Sequence, residues 1–557
     1  LNTFSNIVSG ETLGLSGSGS VSSANTGNSK TVSLGTLALQ NGSGSASNYS
    51  ISSASLSVNP VAVSLSGSRT YDGSSLASAS DLTISGLIGS ETLVLSGAGT
   101  ITSSAVANNY DVSQGSLSLG NGSNGGLAAN YTLNGSTRTL NITPRILNIS
   151  GTRVYDGTTN AVSSDLTLSN LVGSETLALS GTGTITSANV GNNKSVSLNT
   201  LEINNDTGVA SNYTLNGGTH QLSVSQRSIS MSGSRSYNGS TTVNSSDLSV
   251  FNNLVSGETL DITGSGTVSS ANVGLSKSVT IGSLSLSNGT GSSANYTLGS
   301  ATLDITQKSL TISGSKVYDG TNVIQGSNFS TFSGIVSGET LSMTGSGTVA
   351  SGNIGNDKTV TNTSLQLLDG SGLASNYSIA NTISADITLR PVNLSGSRVY
   401  DGTTDAAASD LSLGNLVSGE NISLSGTGTL GSAAVGSQTI TNIGSLAISD
   451  GSSSASNYSL TGALSMAITK RPVTVTGSKF YDGTTDAAAS NLTSFTNLVS
   501  GETLSLSGNG SVASSAVGSN KSVSHQTLAL ANGSGAASNY SLGNVTININ
   551  KRILSLD

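Results

Sequence analysis

Tyr155-Asp156-Gly157-Thr158-Thr159 returns along this chain at a nearly fixed interval. Tyr-Asp-Gly stands at Tyr71 (with Asp72 and Gly73), Tyr155, Tyr318, Tyr400 and Tyr481, and Tyr-Asn-Gly stands at Tyr237. Successive tyrosines lie 84, 82, 81, 82 and 81 residues apart. A fixed period of this kind means a tandem array of one module of about 82 residues, whatever the total length would otherwise suggest. The spacing divides the chain into a partial module at 1–60, complete modules at 61–144, 145–226, 227–308, 309–390, 391–471 and 472–551, and the opening of a further one at 552–557. The chain begins in mid-repeat and stops at a repeat's start, so the expectation is a piece of a longer array, which leaves leader and anchor segments outside view.

Each module is large enough for a small core only. Charged residues make up 9 %, aromatics 4 %, and there are 70 glycines. Such a composition suits disorder, but Leu, Val and Ile recur at alternate positions, as half-buried strands require. The net charge of -8 is spread thinly and offers no basic groove for nucleic acid. Nor is there a polybasic segment for a lipid surface; neither nucleic-acid binding nor direct membrane insertion is expected. Cysteine is absent. A disulfide-free, strand-rich chain fits a bacterial protein exported through an outer membrane better than a secreted eukaryotic one.

Residues 146–227 carry the pattern of one module. Ile146 to Tyr155 reads as a first strand, Asp156-Gly157 as a turn, and runs at Asp165, Glu175, Lys194, Leu201, Asn212 and His220 as further strands. About seven short strands with frequent turn signals are the signature of an Ig-like Greek-key β-sandwich. The fold class expected is therefore all-β, with a β-solenoid as the alternative; a solenoid coil repeats every 20 to 30 residues, and no such sub-period is visible. A second tyrosine recurs in Asn-Tyr-Ser/Thr, at Tyr49, Tyr131, Tyr213, Tyr296, Tyr377, Tyr458 and Tyr540. Its place before the penultimate strand suggests a tyrosine corner.

All four prolines, Pro60, Pro144, Pro391 and Pro472, fall at module boundaries, beside the basic residues Arg145, Arg227, Lys308, Arg390, Arg471 and Arg552. No residues remain for a flexible linker, so a stiff rod is expected. At ~3.3 Å per strand residue the array would run to roughly 250 Å.

These residues resemble the YDG-repeat modules of large Gram-negative surface adhesins of the filamentous-haemagglutinin-like, two-partner-secretion type. The resemblance rests on Tyr155-Asp156-Gly157-Thr158-Thr159, Leu179-Ser180-Gly181-Thr182-Gly183-Thr184, Asn189-Val190-Gly191 with Lys194, Asn212-Tyr213-Thr214-Leu215 and Asp304-Ile305-Thr306, and it covers essentially the whole chain. Departures are Asn238 for the turn Asp, Gln438 for the recurring Lys, and Asn109-Tyr110 at the same place. The resemblance implies an extracellular structural module at the bacterial cell surface and no known activity.

The residues themselves offer little chemistry. His220 and His525 occupy unlike positions in different modules, and no serine has a His and an acid arranged with it. No enzyme is expected. Calcium is the one cofactor considered, with Asp156, Asp165 and Glu175 as candidate ligands; the plainer reading makes the aspartates turn and cap residues. A glutamate recurs in every unit, at Glu11, Glu91, Glu175, Glu258, Glu339, Glu420 and Glu502, and the recurring lysine (Lys30, Lys194, Lys277, Lys358, Lys521) is its natural partner on charge alone. Asn48, Asn130, Asn212, Asn295, Asn376, Asn457 and Asn539 each open an Asn-x-Ser/Thr sequon and are candidate glycosylation sites. The function expected is a stalk or fibre segment of a giant adhesin, projecting a tip toward a host or neighbouring cell and associating with other copies of itself. An array of weak carbohydrate-binding modules is the alternative.

Overall fold

The computed structural model describes residues 1–555; the last two residues of the expected opening at 552–557 lie outside the described residues. The described chain divides into two compact units. One comprises Leu1–Gly233, Asn244–Thr267 and Val279–Thr302, and the other Ser234–Val243, Val268–Ser278 and the chain from Leu303 onward.

The module at 145–226 lies wholly in the first unit and shows the common plan. Its strands are β1 (Arg145–Ile146), β2 (Asn148–Val154), β3 (Asn160–Val162), β4 (Leu166–Ser169), β5 (Leu177–Ser180), β6 (Thr182–Ile185), β7 (Gly191–Ser197), β8 (Glu202–Asn205), β9 (Tyr213–Thr214) and β10 (Gln221–Ser225). Two 3-10 turns, Ser163–Asp165 and Ala210–Asn212, punctuate them. A six-stranded sheet runs β3-β6-β7-β10-β2-β4, and β5 pairs with β8 in a separate ribbon. The same six-strand order recurs at 391–471 in the second unit. All-β architecture in a repeating array is thus as the sequence suggested. These pairings close within one module, which sets the solenoid aside. In the module at 391–471, Asp405–Ala407 is a strand, and a 3-10 turn follows at Ala408–Asp410.

One feature departs from an all-antiparallel Greek key. The first and last strands are parallel neighbours, with Thr152 opposite Ser223 and Val154 opposite Ser225. β1 and β9 are likewise parallel. The chain therefore enters a module at one pole and leaves at the other. Thr143 ends one module's last strand and Arg145 begins the next. Pro144 fits between them because this point needs no amide donor.

Alternation along β2 sends Ile149 inward to meet Ala161, Leu166, Ile185, Val196, Leu201, Leu222 and Val224 in the core. Gly183, in the recurring Gly-Thr-Gly-Thr stretch, has no side chain because one would meet Leu201 Cδ1 at 2.7 Å and Val196 Cγ1 at 2.8 Å. So small a core stabilises one module only modestly, and bonding to the neighbouring modules carries more weight than it would in a larger domain.

Candidate functional site: the junction between successive modules

The junction is built on the Tyr-Asp-Gly turn. Asp156 Oδ1 accepts the Thr158 N–H at 2.9 Å, closing an Asx turn, and Gly157 takes the left-handed φ of 80°. Beneath the turn lies a buried cation that the sequence reading passed over. Arg153 Nη1 donates to Asp156 Oδ2 at 2.6 Å and to Thr158 Oγ1 at 3.0 Å. At 309–390 the cation is Lys316. Its Nζ lies 2.6 Å from Asp319 Oδ1, 2.8 Å from Thr321 O, 2.9 Å from Thr321 Oγ1 and 2.8 Å from Val323 O. The Thr484 N–H and Lys479 likewise hold the Asp482 carboxyl down at about 2. The signal was available: Arg or Lys stands two residues before every one of these tyrosines.

The Nε atoms of Arg69, Arg153 and Arg398 are buried without a partner, whereas the ammonium of Lys316 is surrounded by oxygens. Lys316→Met leaves those oxygens buried and unmatched, and is expected to destabilise its module by about 2–4 kcal/mol. Arg153→Lys is expected to leave stability unchanged or higher. Hydrogen exchange of the amides at 316–324 and 153–160 distinguishes the two; equal protection in wild type and Lys316→Met refutes the assignment.

The tyrosine of the turn reaches forward into the next module. Tyr155 Oη donates to Glu258 Oε1 at 2.5 Å, and Tyr296 Oη donates to Glu258 Oε2 at 2.6 Å. The two rings meet edge to face with centroids 5.4 Å apart. One carboxylate is thus shared by a phenol from the preceding module and a phenol from its own. The arrangement repeats with Tyr71, Glu175 and Tyr213 in the first unit. In the second unit it is formed by Tyr237, Glu339 and Tyr377; Tyr318, Glu420 and Tyr458; and Tyr400, Glu502 and Tyr540. Tyr131 and Tyr49 make the own-module half of the contact, with Glu91 and Glu11. The second tyrosine is therefore no simple tyrosine corner: its hydroxyl also accepts the Val255 N–H at 3.1 Å, while its proton goes to the junction carboxylate.

Burial first, and the Glu258 carboxylate second, push the Tyr155 phenol up to about 12. Tyr213, Tyr318, Tyr377 and Tyr540 rise to about 12 for the same pair of causes. In the unfolded chain these phenols ionise near 10.0. Their contribution to stability is therefore full below pH 10, shrinks as the unfolded state gains ionised phenols, and is lost as pH rises through 12. Circular dichroism through an alkaline titration is expected to show unfolding in that window; an unchanged melting temperature from pH 9 to pH 12 counts against the shared-carboxylate bonds.

Two further contacts cross the same junction, and a third braces one side of it from within a single module. The sequon asparagine turns backward: Asn295 Oδ1 accepts the Val190 N–H at 2.9 Å, and its Nδ2 donates to Asn189 Oδ1 at 2.9 Å. Asn376 with Asn272, and Asn457 with Asn353, do the same. Asn130 reaches Asn25 and Thr26, and Asn212 and Asn539 accept from Val106 and Val435. Asn212, Asn295, Asn376, Asn457 and Asn539 are all buried, so the folded chain does not present their amides for glycosylation; Asn48 is exposed.

The boundary arginine supplies the second contact. Arg227 donates to both the carbonyl and the side chain of Asn253, at 2.6 and 2.7 Å, and to the Tyr155 carbonyl of the preceding module at 3.3 Å. Arg145, Arg390 and Arg471 repeat this with Asn170, Asn415 and Asn497. Where Lys308 replaces the arginine, Gly334 replaces the left-handed asparagine, and Val61 is matched by Gly86 in the same way. Only a planar fork reads both oxygens of the asparagine at once.

Third, the recurring lysine serves the loop behind Asn189. Lys194 Nζ donates to Ser187 O, Lys277 to Asn272 O, and Gln438 takes the equivalent carbonyl, Ala434 O, at 2.8 Å. The expected Glu–Lys pairing is thus corrected: tyrosines take the glutamate and backbone carbonyls take the lysine. The candidate calcium ligands also separate, since Asp156 is bound to Arg153 and Glu175 to two phenols. Among the described residues, no three His, Cys, Asp or Glu side chains gather as a metal would need. His220 is half-buried with Nε2 2.7 Å from Leu215 O, and His525 is half-buried in another module.

The family model for the YDG domain matches six times, at residues 54–141, 136–224, 219–303, 305–385, 383–466 and 468–547. The chain belongs to the YDG-domain family. No curated protein matches it. In this array of YDG domains the turn tyrosines Tyr71, Tyr155, Tyr237, Tyr318 and Tyr400 are each completed by the glutamate of the following domain.

Proposed function

We propose that this array of YDG domains is a structural spacer: a stalk or fibre segment of a large bacterial extracellular adhesin that transmits tension and holds a binding tip away from the cell. The observation carrying this reading is the junction. Each YDG domain passes directly into the next without a linker, and a phenol–carboxylate–phenol bridge, an asparagine clasp and in most cases an arginine fork join them. Such bonding resists bending and sliding between neighbours, which a spacer needs. The low charge and Ser/Thr-rich strands suit lateral association into a filament, through copies of the same chain.

Small-angle scattering over a concentration series, with negative-stain images of the same samples, tests this. A thin particle of constant cross-section and concentration-independent length is expected for a single spacer. Growth in length or width with concentration assigns the function to the filament. A profile of flexibly linked beads overturns both. Export to the cell surface is checked by antibody labelling and protease shaving of intact source cells.

A further inference from the structure

The tyrosines are placed for a reaction as well as for bonding. At five junctions two phenol rings from successive YDG domains stand edge to face with centroids 5.3, 5.4, 5.4, 5.5 and 5.4 Å apart. Their hydroxyls converge on the two oxygens of one carboxylate, as with Tyr155 and Tyr296 on Glu258 at 2.5 and 2.6 Å. That convergence holds the hydroxyl-bearing edges of the two rings toward the same carboxylate. It also places a proton acceptor on each phenol. A phenol hydrogen-bonded to a carboxylate loses an electron more readily than a free one, because the proton leaves with it.

We infer that these pairs are sites of oxidative cross-linking, in which a one-electron oxidant of the peroxide-derived or peroxidase type joins successive domains through a covalent ring–ring bond. Each ring gives up one electron to the oxidant, and its phenolic proton passes to the glutamate and on to water. The two resulting radicals couple carbon to carbon at the positions beside the hydroxyls. The hydrogen displaced from each coupled carbon returns to its phenol oxygen, restoring both rings. Two electrons and two protons leave in total, and no atom is added. The electrons can leave by transfer through the protein, so rings that are 2–5 % exposed, such as Tyr540 and Tyr155, need no direct contact with the oxidant. Because each pair spans a junction, the product converts a hydrogen-bonded joint into a covalent one. The inference stands whether or not the array serves as a stalk.

The chain carries its own control: Tyr110, half-buried in the strand Ala107–Asp111, belongs to none of these ring pairs among the described residues. The full chain, held dilute, is exposed to light-driven ruthenium trisbipyridyl with persulfate, digested, and analysed by mass spectrometry. Ring-joined peptides pairing Tyr71 with Tyr213 and Tyr155 with Tyr296, each lighter by two hydrogen atoms, are expected, with none at Tyr110. Tyr155→Phe is expected to abolish the second link and leave the other four. Oxidation of the junction tyrosines without ring-joined peptides overturns the inference. So does an equal yield of the same pairs from the chain unfolded in urea.

Discussion

Glu258→Ala disconnects two domains at once. Tyr155 and Tyr296 lose the acceptor for their hydroxyl protons, and both rings remain in a site that water reaches poorly. Each charge-assisted bond lost from a buried hydroxyl costs about 1–3 kcal/mol, so with Glu258 itself half-buried the expected loss is about 2–4 kcal/mol. The loss falls on the coupling between domains as much as on either domain. Chemical denaturation is accordingly expected to broaden or split, as nearest-neighbour coupling in an array requires. Glu258→Gln keeps one good acceptor and is expected to lose about half as much. Tyr155→Phe keeps the ring packing and separates the bond from the aromatic contact. A single transition of unchanged midpoint and slope for Glu258→Ala excludes the bridge as a source of coupling.

Gly157→Ala combines two effects that the chain allows to be separated. The position has φ of 80°, and an added Cβ would lie 2.8 Å from Val255 Cγ1 of the next domain. Gly135, within a module, has a left-handed φ of 75° with nothing within 4 Å. Gly135→Ala therefore meets the left-handed backbone cost alone, about 1–2 kcal/mol. Gly157→Ala adds overpacking against the valine, for a total of about 2–4 kcal/mol. The difference between the two variants, read by urea denaturation of the full chain, reports the closeness of the junction. Equal losses contradict it.

The structure also accounts for the irregularities of the array. Gln438 keeps the lysine's hydrogen bond to the junction loop without its charge. Asn238 keeps the Asx turn through the Ser240 N–H at 3.0 Å. These substitutions preserve a bond geometry, which explains why the repeat tolerates them. Ala105 and Ala434 remove the Asn–Asn contact at two junctions while the backbone N–H of the following valine still binds the next domain's asparagine.

By itself the sequence determined the period, the all-β character, the turn at each Tyr-Asp-Gly and the direct succession of domains. Those follow from local rules: alternation, glycine at positive φ, and the absence of residues for a linker. It also marked the tyrosines, glutamates and asparagines as recurring. What only the tertiary structure decided was which copy each one meets. Tyr155 lies 20 residues before Glu175 and 103 before Glu258. In a periodic sequence these two partners are indistinguishable, since every repeat presents the same glutamate at the same phase. The parallel pairing of first and last strands settles the matter. It delivers the Tyr-Asp-Gly turn to the pole where the next domain begins, so the tyrosine meets the following glutamate and not its own. Strand pairing across some 70 residues depends on how the whole module closes, and no local pattern of residues encodes it.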